Sequence, residues 1–177
     1  MIFSMEWIYE NGYYNTTRYV LGITGNNPLI CIGINPSTAK PEKLDRTIES
    51  VIRICHTNNF DSWIMLNVYP QITADPNNIN ISFNAEYHNI NLKHIESFFQ
   101  QGIVKIWCAW GTLIEKRPFL INCLSEIFEI LQKYNCQWIT TGKESKNGHP
   151  HHPLYLKSNV SFRPFPITDY LLIQRKI

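Results

Sequence analysis

The sequence predicts one α/β domain, in which a four-stranded parallel sheet lies between helices in a three-layer α/β/α arrangement. An N-terminal β-hairpin, over about 5–23, precedes it. Three observations lead there. Four short apolar runs each stop at a polar or aromatic loop, as buried parallel strands do. Stretches with apolar residues at helical spacing separate these runs, and strands alternating with helices favour a parallel sheet. No repeat or low-complexity linker divides the chain, so residues 1–177 are read as one domain.

The hairpin rests on Trp7-Ile8-Tyr9 and Arg18-Tyr19-Val20-Leu21, which have strand composition around the turn signal Asn11-Gly12. The first parallel strand begins at Ile30 and runs into Gly33-Ile34-Asn35-Pro36-Ser37-Thr38. Asp45 is placed to cap a helix reaching about Asn58, with Ile48, Val51, Ile52 and Cys55 on its inner face. The second strand, Ser62 to Leu66, ends at Asn67-Val68-Tyr69-Pro70. A long loop rich in Asn, Asp and Pro follows, and a helix is expected over about 89–101. The third strand spans Ile103 to Ala109 and closes at Trp110-Gly111. Pro118 suits the first turn of the next helix. The fourth strand, Gln137 to Thr141, opens into GKESKNGHPHHPLYL. The tail from Val160 has no clear assignment.

Composition narrows the function classes. A net charge of +2 gives no overall electrostatic case for nucleic acid, although Lys143, Lys146 and Lys157 bracket the histidine-rich segment. The five cysteines are dispersed, odd in number and without a CxxC pair, which argues against a disulfide framework or a zinc site. No cofactor or metal is expected. No signal segment is recognised and no apolar run approaches the ~18 residues of a membrane span, so a soluble, cytoplasmic monomer is expected.

Ligands of open α/β sheets bind beyond the carboxyl ends of the strands. There this chain carries Asn35 with Ser37 and Thr38, Asn67 with Tyr69, Trp110-Gly111, and the segment from His149 to Tyr155. Amides, hydroxyls, imidazoles and aromatic rings together suit a flat polar ring that is stacked and read along its edge. Each piece also has a plain account. Asn-Pro-Ser is ordinary turn chemistry. A lone Asn ends many strands, Tyr69 and Trp110 are candidate core residues, and the lysines suit a solvated loop.

The runs GINPSTA, WIMLN, CAWG and GHPHHPLYL match the family called domain of unknown function 1643. Their order also resembles the uracil-DNA glycosylase superfamily, from about Leu29 to Leu156. That resemblance implies a uracil-DNA glycosylase-like sheet and N-glycosidic bond hydrolysis on a base in nucleic acid or on a nucleoside. It implies Asn35 as the residue that orients water, Asn67 as the amide on the base edge, and Ile34 and Tyr69 as pocket wall and stacking ring. His152 would donate to the departing base, with His149 as its rival. Leu154 and Tyr155 would fill the space of a flipped base. Ser37, Thr38 and Lys143 would contact phosphate. Asn35 can orient water but is a poor general base. The alternative expectation is therefore a nucleic-acid or nucleotide-binding module of the same fold without turnover.

Overall fold

The computed structural model describes residues 6–99 and 105–176. Met5, Gln100, Gln101, Ile103 and Val104, which belong to expected elements, lie outside the described residues. Two strands open the chain, β1 (Trp7–Asn11) and β2 (Arg18–Ile23). They pair antiparallel as expected, but the tight turn at Asn11-Gly12 is replaced by a longer connection carrying a 3₁₀ turn at Tyr13–Asn15. Then come β3 (Pro28–Gly33), α1 (Arg46–Thr57), β4 (Ser62–Asn67) and α2 (Ala85–Phe99). β5 (Lys105–Cys108), α3 (Phe119–Leu131), β6 (Gln137–Thr140), β7 (Arg163–Pro164) and α4 (Ile167–Gln174) complete it.

These strands form one seven-stranded mixed sheet in the order β1-β2-β4-β3-β5-β6-β7. β4, β3, β5 and β6 run parallel, while β2 adds antiparallel to β4 and β7 antiparallel to β6. The hairpin is thus a continuation of the sheet. Its apolar residues Val20 and Leu21 are buried on both faces, which alternation alone would not reveal. The unassigned tail supplies β7 and α4, and Phe165, Tyr170 and Leu171 bury themselves in the core.

Side chains alternate across the sheet and divide the interior in two. Leu29, Cys31, Trp63, Met65 and Trp107 pack under α1 through Ile48, Val51, Ile54 and Cys55. Ile30, Ile32, Ile64, Leu66 and Ile106 face the other way, against residues of α2, α3 and α4. α1 starts where expected because the Asp45 carboxylate accepts from Ile48 N–H at 2.9 Å. α2 begins four residues before the expected position, since Asn84 Oδ1 accepts from Tyr87 N–H at 3.1 Å and organises the first turn.

The chain leaves β3 toward β4 on one side, and later returns to β5 on the other. α1 covers one face and α2 the other, so the crossovers part at the carboxyl end of β3. That is the topological switch point at which open α/β sheets bind ligands.

Candidate functional site

A cavity of about 560 Å³ opens at this point, within the size range of small-molecule pockets. Its walls come from the segment after β3, the start of α1, the loop after β4, the turn after β5 and the last loop. Residues far apart in sequence therefore meet, among them Asn35, Asp45, Gly111 and His152.

Asn35 is half-buried, and its amide nitrogen is fully committed to the protein. It donates to the carbonyls of Pro36 (3.0 Å), Thr73 (3.1 Å) and Gln71 (3.4 Å). The β3 loop is thereby stitched to the loop after β4. What remains for a ligand or water is Oδ1, an acceptor with no partner among the described residues. This carbonyl can orient a water but cannot take its proton.

Asn67 is fully buried, and both Oδ1 and Nδ2 lack hydrogen-bond partners among the described residues. An unpaired buried polar group costs about 1–3 kcal/mol, so its presence calls for a reason. Gly33 makes room for it: a Cβ there would stand 3.2 Å from Asn67 Oδ1 and 2.5 Å from Met65 Cε. Gly33 and Met65 line the cavity while Asn67 does not. The amide therefore lies under the cavity floor, close to a flexible thioether side chain.

His152 reaches the cavity from the last loop. It caps the short turn Pro153–Tyr155, its Nδ1 accepting from Leu154 N–H at 3.3 Å. With Nδ1 as acceptor, the neutral ring carries its hydrogen on Nε2, where no partner exists among the described residues. Burial, helped by neighbouring His151 and opposed by Asp45, pushes its pKa down to about 4. The imidazole is thus a neutral donor at ordinary pH. Gly111 allows this approach: its φ of +64° is a left-handed conformation, and a Cβ there would lie 3.2 Å from His152 Cβ.

His149 has a different setting. It is 1% exposed and bonds Tyr170 Oη through Nδ1 at 2.8 Å and Glu115 through Nε2 at 2.7 Å. Trp110 Nε1–H, a donor only, reaches the same Tyr170 oxygen at 3.1 Å. The Tyr170 hydroxyl can then donate to His149 Nδ1, while His149 Nε2–H donates to the Glu115 carboxylate. The arrangement ties the last loop to α4 and to the turn after β5.

The other expected residues divide. Ile34, Ser37, Leu154 and Tyr155 line the cavity with Asn35 and His152, and Tyr155 is largely exposed. Thr38 is exposed just outside it. Lys143 and His149 line an adjoining hollow of about 530 Å³. Tyr69 is corrected: it is fully buried on the opposite face, its ring 5.0 Å from that of Phe119, and its hydroxyl accepts from Asn84 N–H. A ring so enclosed has no free face for stacking.

Sequence reasoning missed Arg18, Arg46 and Thr47 as cavity residues and left Asp45 as a helix cap alone. One signal for Arg18 was available, a single cation heading the otherwise apolar run Tyr19-Val20-Leu21. The structure buries that cation, 2% exposed, beside the cavity.

The sequence model of the family described as Protein of unknown function (DUF1643) matches residues 18–154. The chain belongs to this family. The matched segment contains every cavity-lining residue named above except Tyr155. No curated protein and no solved structure matches the chain. Among the described residues, no helix is long and apolar enough to cross a membrane.

Proposed function

We propose that the cavity recognises a nucleobase, in nucleic acid or in a nucleoside, and supports hydrolysis of its N-glycosidic bond. The observation that carries this reading is the meeting of Asn35 and His152 in one cavity, which brings an open acceptor and a neutral donor to the same space. The order of the four strand-end motifs, similar to that of the uracil-DNA glycosylase superfamily, supports it as well.

In this mechanism the bond between C1′ of the sugar and the ring nitrogen breaks, and its electron pair leaves with the base. His152 Nε2–H donates to a base oxygen as negative charge grows there. A pre-placed donor of this kind is worth about 2.7–4 kcal/mol in the transition state. Asn35 Oδ1 holds water against the sugar face. The water oxygen bonds C1′ of the cation-like sugar, and its proton passes to solvent or to the departing base. Late capture by water demands little of a general base, which suits an amide. Met65 is the flexible floor through which the orphan amide of Asn67 would meet the base edge, supplying one donor and one acceptor.

Base release measured chromatographically tests the reading. DNA and RNA carrying uracil, hypoxanthine or xanthine, and the free nucleosides, are each incubated with excess protein. At least one should yield free base, and His152→Ala should slow release by about 10²-fold or more. Absence of release from every substrate sinks the hydrolase reading.

A binding module without turnover is the second reading, favoured by one observation. Asp45 is the carboxylate of the cavity wall, and its Oδ1 is already engaged by Ile48 N–H. Tight binding of a base-containing ligand, unchanged in the absence of any product, would support it.

A further inference from the structure

We propose that the wall formed by Arg18 and the start of α1 is an oxyanion subsite that takes the terminal phosphate monoester of a nucleotide or of a nucleic-acid strand end. This goes beyond base recognition and does not depend on hydrolysis.

Arg18 is the first observation. It heads β2, where its backbone N–H donates to Pro70 O at 2.9 Å, and the residue is buried beside the cavity. Among the described residues only Nη1 is paired, donating to Ala39 O at 2.7 Å. Nε is buried with no partner, and no carboxylate lies within ion-pair distance among the described residues. Burial lowers its pKa only to about 10, so the cation persists at neutral pH. Buried cations are ordinarily paired. Asp45, on the same wall, acts on this guanidinium only at a distance beyond an ion pair, so the cation is satisfied on one nitrogen and has no anion in contact among the described residues.

The start of α1 is the second, independent observation. Arg46 and Thr47 line the same cavity, and their backbone N–H groups have no partner among the described residues, as expected of a first helical turn. The 12-residue helix directs the positive end of its dipole there. Asp45 opposes an anion, but Ile48 N–H holds one of its carboxylate oxygens. The side chains of Arg18 and Arg46 against Asp45 leave one positive charge, with His152 neutral.

Donors converge from β2 and from α1, and the Ser37 hydroxyl adds a third direction. A carboxylate has two oxygens in one plane, whereas a phosphate monoester offers three terminal oxygens in a tetrahedral array. The geometry matches the phosphate better. A guanidinium also engages phosphate through two parallel N–H bonds.

Calorimetric titration with inorganic phosphate, against acetate at equal ionic strength, is the test. The whole chain should bind phosphate saturably and in preference to acetate. Arg18→Gln should weaken phosphate binding by at least about tenfold. Arg46→Gln, an exposed position that leaves folding intact, should weaken it by about threefold. Equal responses to phosphate and acetate, or phosphate affinity unchanged in Arg46→Gln and in any folded Arg18→Gln, overturn the proposal. Uridine 5′-monophosphate and a 5′-phosphorylated oligonucleotide then identify the source, each compared with its unphosphorylated form. A gain from the phosphate in either supports the subsite; a gain in neither overturns it. Base release without phosphate binding rejects this subsite alone, and phosphate binding without base release rejects hydrolysis alone.

Discussion

His149 and His152 come from one short segment of imidazoles and prolines, yet the fold gives them opposite environments. His149 has both ring nitrogens occupied, by Tyr170 and Glu115. His152 has one nitrogen on its own turn and leaves the other without a partner among the described residues, at the cavity. Spacing in sequence cannot separate them, because both precede proline and both follow the fourth parallel strand. Partners separate them. One histidine builds the wall, and the other faces the contents.

The largest consequence concerns stability. His149→Ala should destabilise the protein by about 3 kcal/mol or more, since it strands the Tyr170 hydroxyl and the Glu115 contact together. His152→Ala should cost only about 1 kcal/mol, the worth of a lost cap at Leu154. Urea unfolding of the two variants measures the contrast directly. Equal losses would erase the distinction between wall and contents.

A second contrast lies in pH. The folded protein holds His152 neutral down to about pH 4, whereas the unfolded chain protonates it near 6.5. Stability from this residue is full above pH 6.5 and falls as pH drops toward 4. Complete titration amounts to on the order of 3 kcal/mol. Burial also lowers the pKa of His88 and His94, so they add a slope of the same sign from elsewhere in the fold. The difference between the parent and His152→Asn, which retains a capping side chain, isolates the cavity histidine. The variant should lose less stability between pH 6.5 and 4. Parallel profiles would mean that His152 is far more hydrated than its setting implies.

Much of this architecture could be read in the chain itself. The four parallel strands are apolar runs buried on both faces, and such runs advertise themselves. Asp45 also signalled its helix, because a cap is a local device. The edges were harder. β7 is only two residues long, and α4 has too weak an apolar stripe to announce its role in burying Trp110. Asn35 and His152 could be found because strand-end loops converge in parallel sheets. Arg18 could not be placed from spacing, since its meeting with α1 depends on β2 pairing antiparallel with β4. Tyr69 misled for a different reason: alternation would have kept it on the face of Asn67, but β4 ends at Asn67 and the loop beyond turns Tyr69 toward Phe119.

The smallest stability change belongs to a pair of asparagines that repeats the contrast between the histidines. Asn35 has its nitrogen bound by three carbonyls, while Asn67, at the end of the neighbouring strand, has a side chain unpaired among the described residues. Asn67→Leu keeps approximate shape and removes two unsatisfied polar atoms. The Asn67 backbone carbonyl still accepts from Asn91 Nδ2 at 2.9 Å, so the local backbone keeps its anchor. Stability should therefore stay level or rise by about 1 kcal/mol. Asn35→Leu, by contrast, should loosen the joined loops and lower stability. If Asn67 is retained to read a ligand through the Met65 floor, Asn67→Leu should also abolish discrimination among bases while leaving phosphate affinity intact. Thermal unfolding and binding titrations of the same sample examine both halves. A large loss of stability in Asn67→Leu would mean that the amide has a structural partner, and its place beneath the cavity would carry no functional meaning.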